Sequence, residues 1–332
     1  MTQTPPAAAL PSLAPESFLA VVYRRTRYSI AIILSAIFFC TLGWQLAAPP
    51  AEWAGVSLVV WHDHGILSAL LLTLMLLAAT AVCSLLVHPD SPHMGLACAQ
   101  LGMAGLSIRG GTIYMLLRFA QQPGASVAAV SQALAIECGQ WALILIIVEA
   151  AGRLLHDRFF ANTHWILRSG PDLGTQLLQG RHHPGNTPMG VALAFSKFFG
   201  TQNLSRRIAT PLAMLASGAL AFLMLYVLMQ SQQKGQVLMA CFAAFFFSTL
   251  LAYLAFSRTP ILALLLTVPL TAAAAYLYDI YGMHAAARYP GHAAFFALRA
   301  LPIDYFTAGI PGAIFGYYAA FRWALHSAED HN

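Results

Sequence analysis

Eight apolar stretches, each about 20 residues long, are the feature that most constrains the fold of this chain. A helix of roughly 20 apolar residues crosses a bilayer core of about 30 Å. Soluble domains carry about 25% charged residues, whereas only 9% of these 332 residues are charged, too few to cover a water-facing surface. The sequence therefore predicts an all-α polytopic membrane protein, a bundle of about eight transmembrane helices. The predicted spans are 29–48, 65–87, 94–119, 131–152, 209–229, 236–256, 260–279 and 305–325.

The positions of the basic residues predict the orientation, because Lys and Arg are retained on the cytoplasmic side of a membrane. Arg24, Arg25 and Arg27 precede the first span. With eight spans, twelve of the 17 Lys and Arg residues face the cytoplasm, four lie outside and Arg109 lies within the membrane. We therefore expect a multi-pass protein of the cytoplasmic (inner) membrane with both termini cytoplasmic.

The spans divide the chain into two four-helix halves joined by a basic loop. The predicted parts are a disordered or interfacial tail (1–28), the first half (29–152), a cytoplasmic amphipathic loop (153–207), the second half (209–325) and a C-terminal tail (326–332). A basic segment is attracted to anionic inner-leaflet lipid, although the loop also fits a simple linker. The expected partners are membrane lipids and a protein partner or second copy of the chain, and no nucleic acid.

Spans 1–3 resemble spans 6–8 in the same order. Residues 37–42 match 245–250, residues 66–73 match 261–267, and residues 104–106 match 308–310. The predicted topology places the two triplets in opposite orientations. The pattern predicts an inverted repeat, a construction found in secondary transporters.

Arg109 and Glu137 are the charged residues that orientation does not explain. Arg109 lies near the middle of the third span, and Glu137 lies at a similar depth in the fourth. Because a short loop joins the two spans, the sequence predicts an ion pair between them inside the bundle. Helical spacing extends this polar edge to Thr112 and Gln140. The pair would either lock the helices together or line a path for a proton, ion or substrate.

Small and polar residues elsewhere give weaker predictions. Gly102 and Gly105 share a helix face with Arg109, and Gly312 and Gly316 form a GxxxG pattern that allows close helix packing. Glu149 is expected to be solvated at the cytoplasmic interface, and Asp304 is expected to end the outer loop that begins at Asp279. His62 and His64 flank Asp63 and are weak candidate metal ligands. No metal site, catalytic residue or cofactor is assigned.

Three functions are compatible with these features. The leading hypothesis is a small permease whose path is lined by Arg109 and Glu137. The first alternative is a non-catalytic subunit or scaffold of a membrane complex, and the second is a membrane-embedded lipid-acting enzyme. The absence of a recognisable catalytic motif disfavours an enzyme.

Overall fold

The structure is a computed structural model that describes residues 18–49, 55–60, 65–87, 92–120, 126–159, 206–256, 259–286 and 299–329. In these ranges the chain forms helices and short connections, without β-strands. The helices of eight or more residues are α1 (Phe18–Phe38), α2 (Gly65–Val87), α3 (Pro92–Arg109), α4 (Ile113–Ala120), α5 (Val127–Phe159), α6 (Arg206–Leu228), α7 (Lys234–Ala255), α8 (Ile261–Ala286) and α9 (Ile310–Glu329). A π-helical segment, Phe39–Gly43, and a short helix, Trp44–Ala47, continue α1.

Six of the described helices are long and apolar enough to cross a membrane. Their apolar segments are Val21–Ala47, Leu67–Val87, Val127–Gly152, Ile208–Leu228, Lys234–Ala255 and Ile261–Tyr278. They correspond to the first, second, fourth, fifth, sixth and seventh predicted spans. The protein is thus an all-α polytopic membrane bundle, as the sequence predicts.

The third predicted span is interrupted. Helix α3 ends at Arg109, residues 110–112 are not helical, and α4 starts at Ile113. The break falls at Gly110 and Gly111, and glycine is among the poorest helix formers because it loses the most backbone entropy on folding. The expectation of one continuous helix over 94–119 is therefore wrong.

The eighth predicted span is also irregular at its start. A helical turn, Pro302–Asp304, leads into a π-helical segment, Tyr305–Gly309, and then into α9. Every residue of 300–314 is buried, as is every residue of 95–100 in α3. Residues 95–100 and 300–314 therefore lie inside the bundle, where neighbouring helices rather than lipid surround them.

Close helix contacts fix the directions of the helices. Gly102 of α3 packs against Ser35 of α1, and Gly105 packs against Cys40, so α3 and α1 run parallel. Arg27 of α1 donates to the Leu86 carbonyl and Cys83 donates to the Ala31 carbonyl, so α2 runs antiparallel to α1 and therefore to α3. We call the end at which α2, α5 and α7 begin the upper end of the bundle, and the end at which α3 begins the lower end.

The second half uses the same kind of packing. Gly312 and Gly316 of α9 lie against the backbone of Phe242 and Phe246 in α7, which makes these two helices parallel. In each triplet of the predicted repeat, small residues of the third helix therefore pack on the first helix. The inverted repeat itself stays a prediction.

Three of the predicted segments overlap the described residues only in part. Helix α1 begins at Phe18, so residues 18–28, the described part of the predicted tail, are helical and continuous with the first span. Helix α5 continues to Phe159 and α6 begins at Arg206, so most of the predicted loop 153–207 lies outside the described residues. Helix α9 continues to Glu329, beyond the predicted end of the second half at residue 325.

Candidate functional site

Arg109 lies in the last turn of α3, about 26 Å from Pro92 at 1.5 Å per residue, and not in the middle of a span. Its Nη1 donates a hydrogen bond to the carbonyl oxygen of Cys40 at 2.7 Å. Its guanidinium carbon lies 4.3 Å from the centre of the Trp44 ring, a cation–π arrangement. The side chain is exposed on the outside of the bundle, where a long arginine can reach the membrane interface.

Glu137 of α5 is completely buried and binds a different part of the chain. Ser57 Oγ donates to one carboxylate oxygen, and Trp141 Nε1 donates to the other at 3.2 Å. The backbone N–H groups of Leu58 and Val59 also donate to this carboxylate. Glu137 therefore fixes the non-helical segment 55–60 inside the upper part of the bundle.

The ion pair expected between Arg109 and Glu137 is not formed. Of the predicted stripe of Gly102, Gly105, Arg109 and Thr112, the first three lie on a face of α3 that contacts the first span instead of α5. Ser107, which faces the second half, is about 200° around α3 from Arg109 at 100° per residue. A short connecting loop did not make α3 and α5 close neighbours, because α5 packs mainly on α8.

The other two residues of the predicted polar edge are also apart from Arg109. Thr112 lies in the break after α3, and its carbonyl oxygen accepts a hydrogen bond from Leu116 N–H at 3.1 Å. Gln140 is partly buried on α5, and its Oε1 has no hydrogen-bond partner among the described residues. No described contact joins the four residues into one path.

We expect Arg109→Leu to lower the free energy of unfolding by about 1 kcal/mol or less, because exposed cation–π pairs contribute roughly 0.5–1 kcal/mol. Combined with Glu137→Gln, its effect should be additive within about 0.5 kcal/mol, since the two side chains share no partner. Thermal unfolding of both single variants and the double variant measures this coupling. A coupling well above 1 kcal/mol would contradict the separation of the two residues.

A buried ion pair that the sequence did not reveal joins Lys234 and Asp304. Lys234 Nζ lies 2.9 Å from each carboxylate oxygen of Asp304. The Lys234 side chain is 13% exposed and that of Asp304 is 1% exposed. Leu301 N–H donates to Asp304 at 2.8 Å, and Ser107 Oγ donates to it from α3. Asp304 thus connects both halves of the bundle at its upper end.

The sequence contained a clue to this site. Pro302 and Asp304 stand at the first and third positions of a helical turn, and an acidic residue at the third position characteristically reaches back to the N-cap N–H. That pattern would have placed Asp304 inside a helix start instead of at the end of a loop. Lys234 begins an apolar helix, and its position in the sequence indicates only that it lies at the end of a span.

Glu149 is another buried carboxylate, against the expectation that it would be solvated. Its relative exposure is 5%, and one of its oxygens lies 3.2 Å from His93 Nδ1. His93 is in the first turn of α3, so this contact lies at the lower end of the bundle. The pair joins α3 to α5 about 18 Å along α5 from Glu137.

The described residues include no group of three or more His, Cys, Asp or Glu side chains that could hold a metal ion. His62 and His64, the weak candidates for ligands, lie outside the described residues. A crevice too narrow to hold a water molecule lies between the halves, with Cys138, Trp141, Pro269 and Tyr305 in its wall. Trp141 also stacks on Phe306 of the π-helical segment, with 4.5 Å between ring centres.

Comparisons with protein families, curated proteins and solved structures found no match to this chain.

Proposed function

We propose that the chain is a small permease of the cytoplasmic membrane, with both termini cytoplasmic and its path along the interface between the two halves. The observation that carries the proposal is the pair of fully buried carboxylates, Glu137 and Asp304, in the upper part of that interface. Ionisable side chains inside membrane segments are costly and commonly mark paths for ions or substrates.

The surrounding backbone supports the same function. Asp304 lies at the start of an irregular helix, and Glu137 binds the non-helical segment 55–60. Irregular backbone at membrane depth is tolerated where it is buried in protein or lines a cavity. Transporters place their sites at such discontinuous helices, between structural halves.

The contacts of Asp304 give this site a means of changing state. Its partners come from separate elements, with Ser107 on α3 in the first half and Lys234 on α7 in the second. A movement of one half against the other would separate Ser107 from Asp304 and open the carboxylate to water. This site replaces Arg109 as the centre of the proposed path.

A scaffold function remains the second candidate, and the bonding of Glu137 favours it. Both of its carboxylate oxygens accept hydrogen bonds from protein donors, as a purely structural staple would. A scaffold would keep the interface between the halves closed to water. A permease would open it to each side of the membrane in turn.

Cysteine accessibility distinguishes these functions without knowledge of the solute. We expect Ser107→Cys to react with a membrane-impermeant maleimide both in intact cells and in inverted membrane vesicles, with the modified peptide identified by mass spectrometry. The matched control is Ser35→Cys, because Ser35 is equally buried on the α1 face of the bundle, where it donates to the Ala99 carbonyl. Labelling of Ser107→Cys from one side only, or from neither, would contradict the permease.

A further inference from the structure

Three polar residues on α3 form a line that connects the buried carboxylates at the two ends of the bundle. His93, Gln100 and Ser107 are spaced seven residues apart, or nearly two full turns, so they lie on one face of the helix. His93 contacts Glu149 at the lower end, and Ser107 donates to Asp304 at the upper end. These two contacts fix the face as the one directed towards α5 and the start of α9.

Gln100 is the middle residue of this line and the one whose partners are missing. It is 0% exposed, and neither its amide oxygen nor its amide nitrogen has a hydrogen-bond partner among the described residues. Burying an amide without partners is strongly unfavourable. Small molecules that both donate and accept hydrogen bonds, water above all, satisfy such groups in protein interiors.

We infer that this face of α3 is a proton route in which water bound at Gln100 links the Glu149–His93 pair to Asp304. The inference extends the proposed permease by naming the proton as its coupling ion. Each interval between the three residues is about 10.5 Å along the helix axis. That distance exceeds one hydrogen bond of about 2.8 Å, so each interval requires a short chain of water molecules.

The proton balance along the route involves no other reactant. A proton held between Glu149 and His93 passes to a water, and each following water accepts one proton and releases another. The Ser107 hydroxyl accepts a proton from the last water and gives its own to Asp304. Protonated Asp304 has no negative charge, so the hydrogen bond between it and Ser107 of the first half weakens. The weaker contact between the halves links proton arrival to movement, and water at the upper end then accepts the proton from Asp304.

Several titratable groups surround the ends of this route. Lys234 and Cys241 of α7 and Tyr276 of α8 act electrostatically with Asp304, while His93 of α3 faces Glu149. Among these, Lys234 forms an ion pair with Asp304. Gln100 itself does not titrate, so its replacement tests the route without changing the charge of the site.

Proton flux into liposomes that contain the purified full chain tests the route. A potassium gradient with valinomycin drives protons inward, and trapped pyranine reports the internal pH. We expect the wild-type protein to acidify the interior well above empty liposomes, and Gln100→Leu to lower the initial rate at least tenfold. Gln100→Asn, which keeps the amide, should retain part of the rate.

The matched control is Thr80→Val on α2. Thr80 is also buried with an unpartnered hydroxyl among the described residues, but it is not part of the α3 line. The Thr80→Val protein should conduct protons at the wild-type rate. Gel filtration should show that all variants remain folded. Removal of an unpartnered polar group gives no reason for Gln100→Leu to unfold.

The outcomes separate this inference from the permease proposal. Wild-type flux equal to that of empty liposomes, or undiminished flux in Gln100→Leu, would overturn the proton route. The permease would still stand if Ser107→Cys were labelled from both sides. Conversely, Gln100-dependent flux without labelling from both sides would support the proton route and contradict the permease.

Discussion

Replacing Glu137 by leucine is expected to lower the free energy of unfolding by about 3–5 kcal/mol, because it leaves several buried hydrogen-bond donors without their acceptor. Four donors lose their acceptor in this variant: Ser57 Oγ, Trp141 Nε1 and the N–H groups of Leu58 and Val59. Each buried donor left unsatisfied costs about 1–3 kcal/mol. Movement of segment 55–60 towards water would recover part of the free energy lost by these donors.

Glu137→Gln should have a smaller effect of about 2 kcal/mol. The amide oxygen of glutamine still accepts hydrogen bonds from the donors on one side. Its amide nitrogen, which is itself a donor, faces the donors on the other side. Heating in detergent followed by gel filtration measures the midpoint at which the folded protein is lost, and we expect a fall of roughly 5–10 °C for Glu137→Leu.

Ile136→Leu is the matched control for the position in α5. Ile136 precedes Glu137 and is 56% exposed on the outside of the bundle. The same new side chain should change stability there by no more than about 0.5 kcal/mol. Equal stability of Glu137→Leu and the wild type would show that the carboxylate does not hold segment 55–60.

The positions of six spans could be predicted because helices that face lipid must be apolar along their length. The second span, predicted as 65–87, matches α2 at both ends. The central helices α3 and α9 do not meet lipid on all sides, so hydropathy constrains them less. Their breaks depend on local features, the paired Gly110 and Gly111 and the turn at Pro302, which a 20-residue apolar pattern hides.

The candidate site was harder to predict because its contacts join distant parts of the chain. Ser57 reaches Glu137 across 80 residues, and Ser107 reaches Asp304 across 197. Helical spacing grouped Gly102, Gly105, Arg109 and Thr112 on one face, and the first three contact the first span. It could not say which helix that face contacts, and the order of helices along the chain suggested the wrong neighbour.

Adding one methyl group to α9 at Gly312 or Gly316 should separate two helices of the second half. A Cβ at Gly312 would lie closer than 3.0 Å to the carbonyl oxygen of Phe242, and one at Gly316 would meet that of Phe246 in the same way. These oxygens belong to the backbone of α7, so no side-chain rotation relieves the clash. Overpacking costs typically 1–3 kcal/mol, and we expect each alanine variant to lose about 2–3 kcal/mol.

Gly139→Ala on α5 is a control for which we expect no loss of stability, or a gain. A Cβ at Gly139 meets nothing within 4 Å. Alanine there should be neutral or stabilising by about 0.5–1 kcal/mol, because it forms helix more readily than glycine. The midpoint of thermal unfolding should therefore fall for Gly316→Ala and stay level or rise for Gly139→Ala.

The double variant Gly312→Ala/Gly316→Ala tests whether the two glycines act through one shared contact. The two positions are one turn apart and face successive turns of the same partner helix. Once α9 has moved away from α7 to admit the first methyl group, the second requires little further movement. The loss of stability in the double variant should therefore be smaller than the sum of the two single losses, by at least about 0.5 kcal/mol. Full additivity would mean that each clash is relieved locally, and stability equal to that of the wild type would contradict the close approach of α7 and α9.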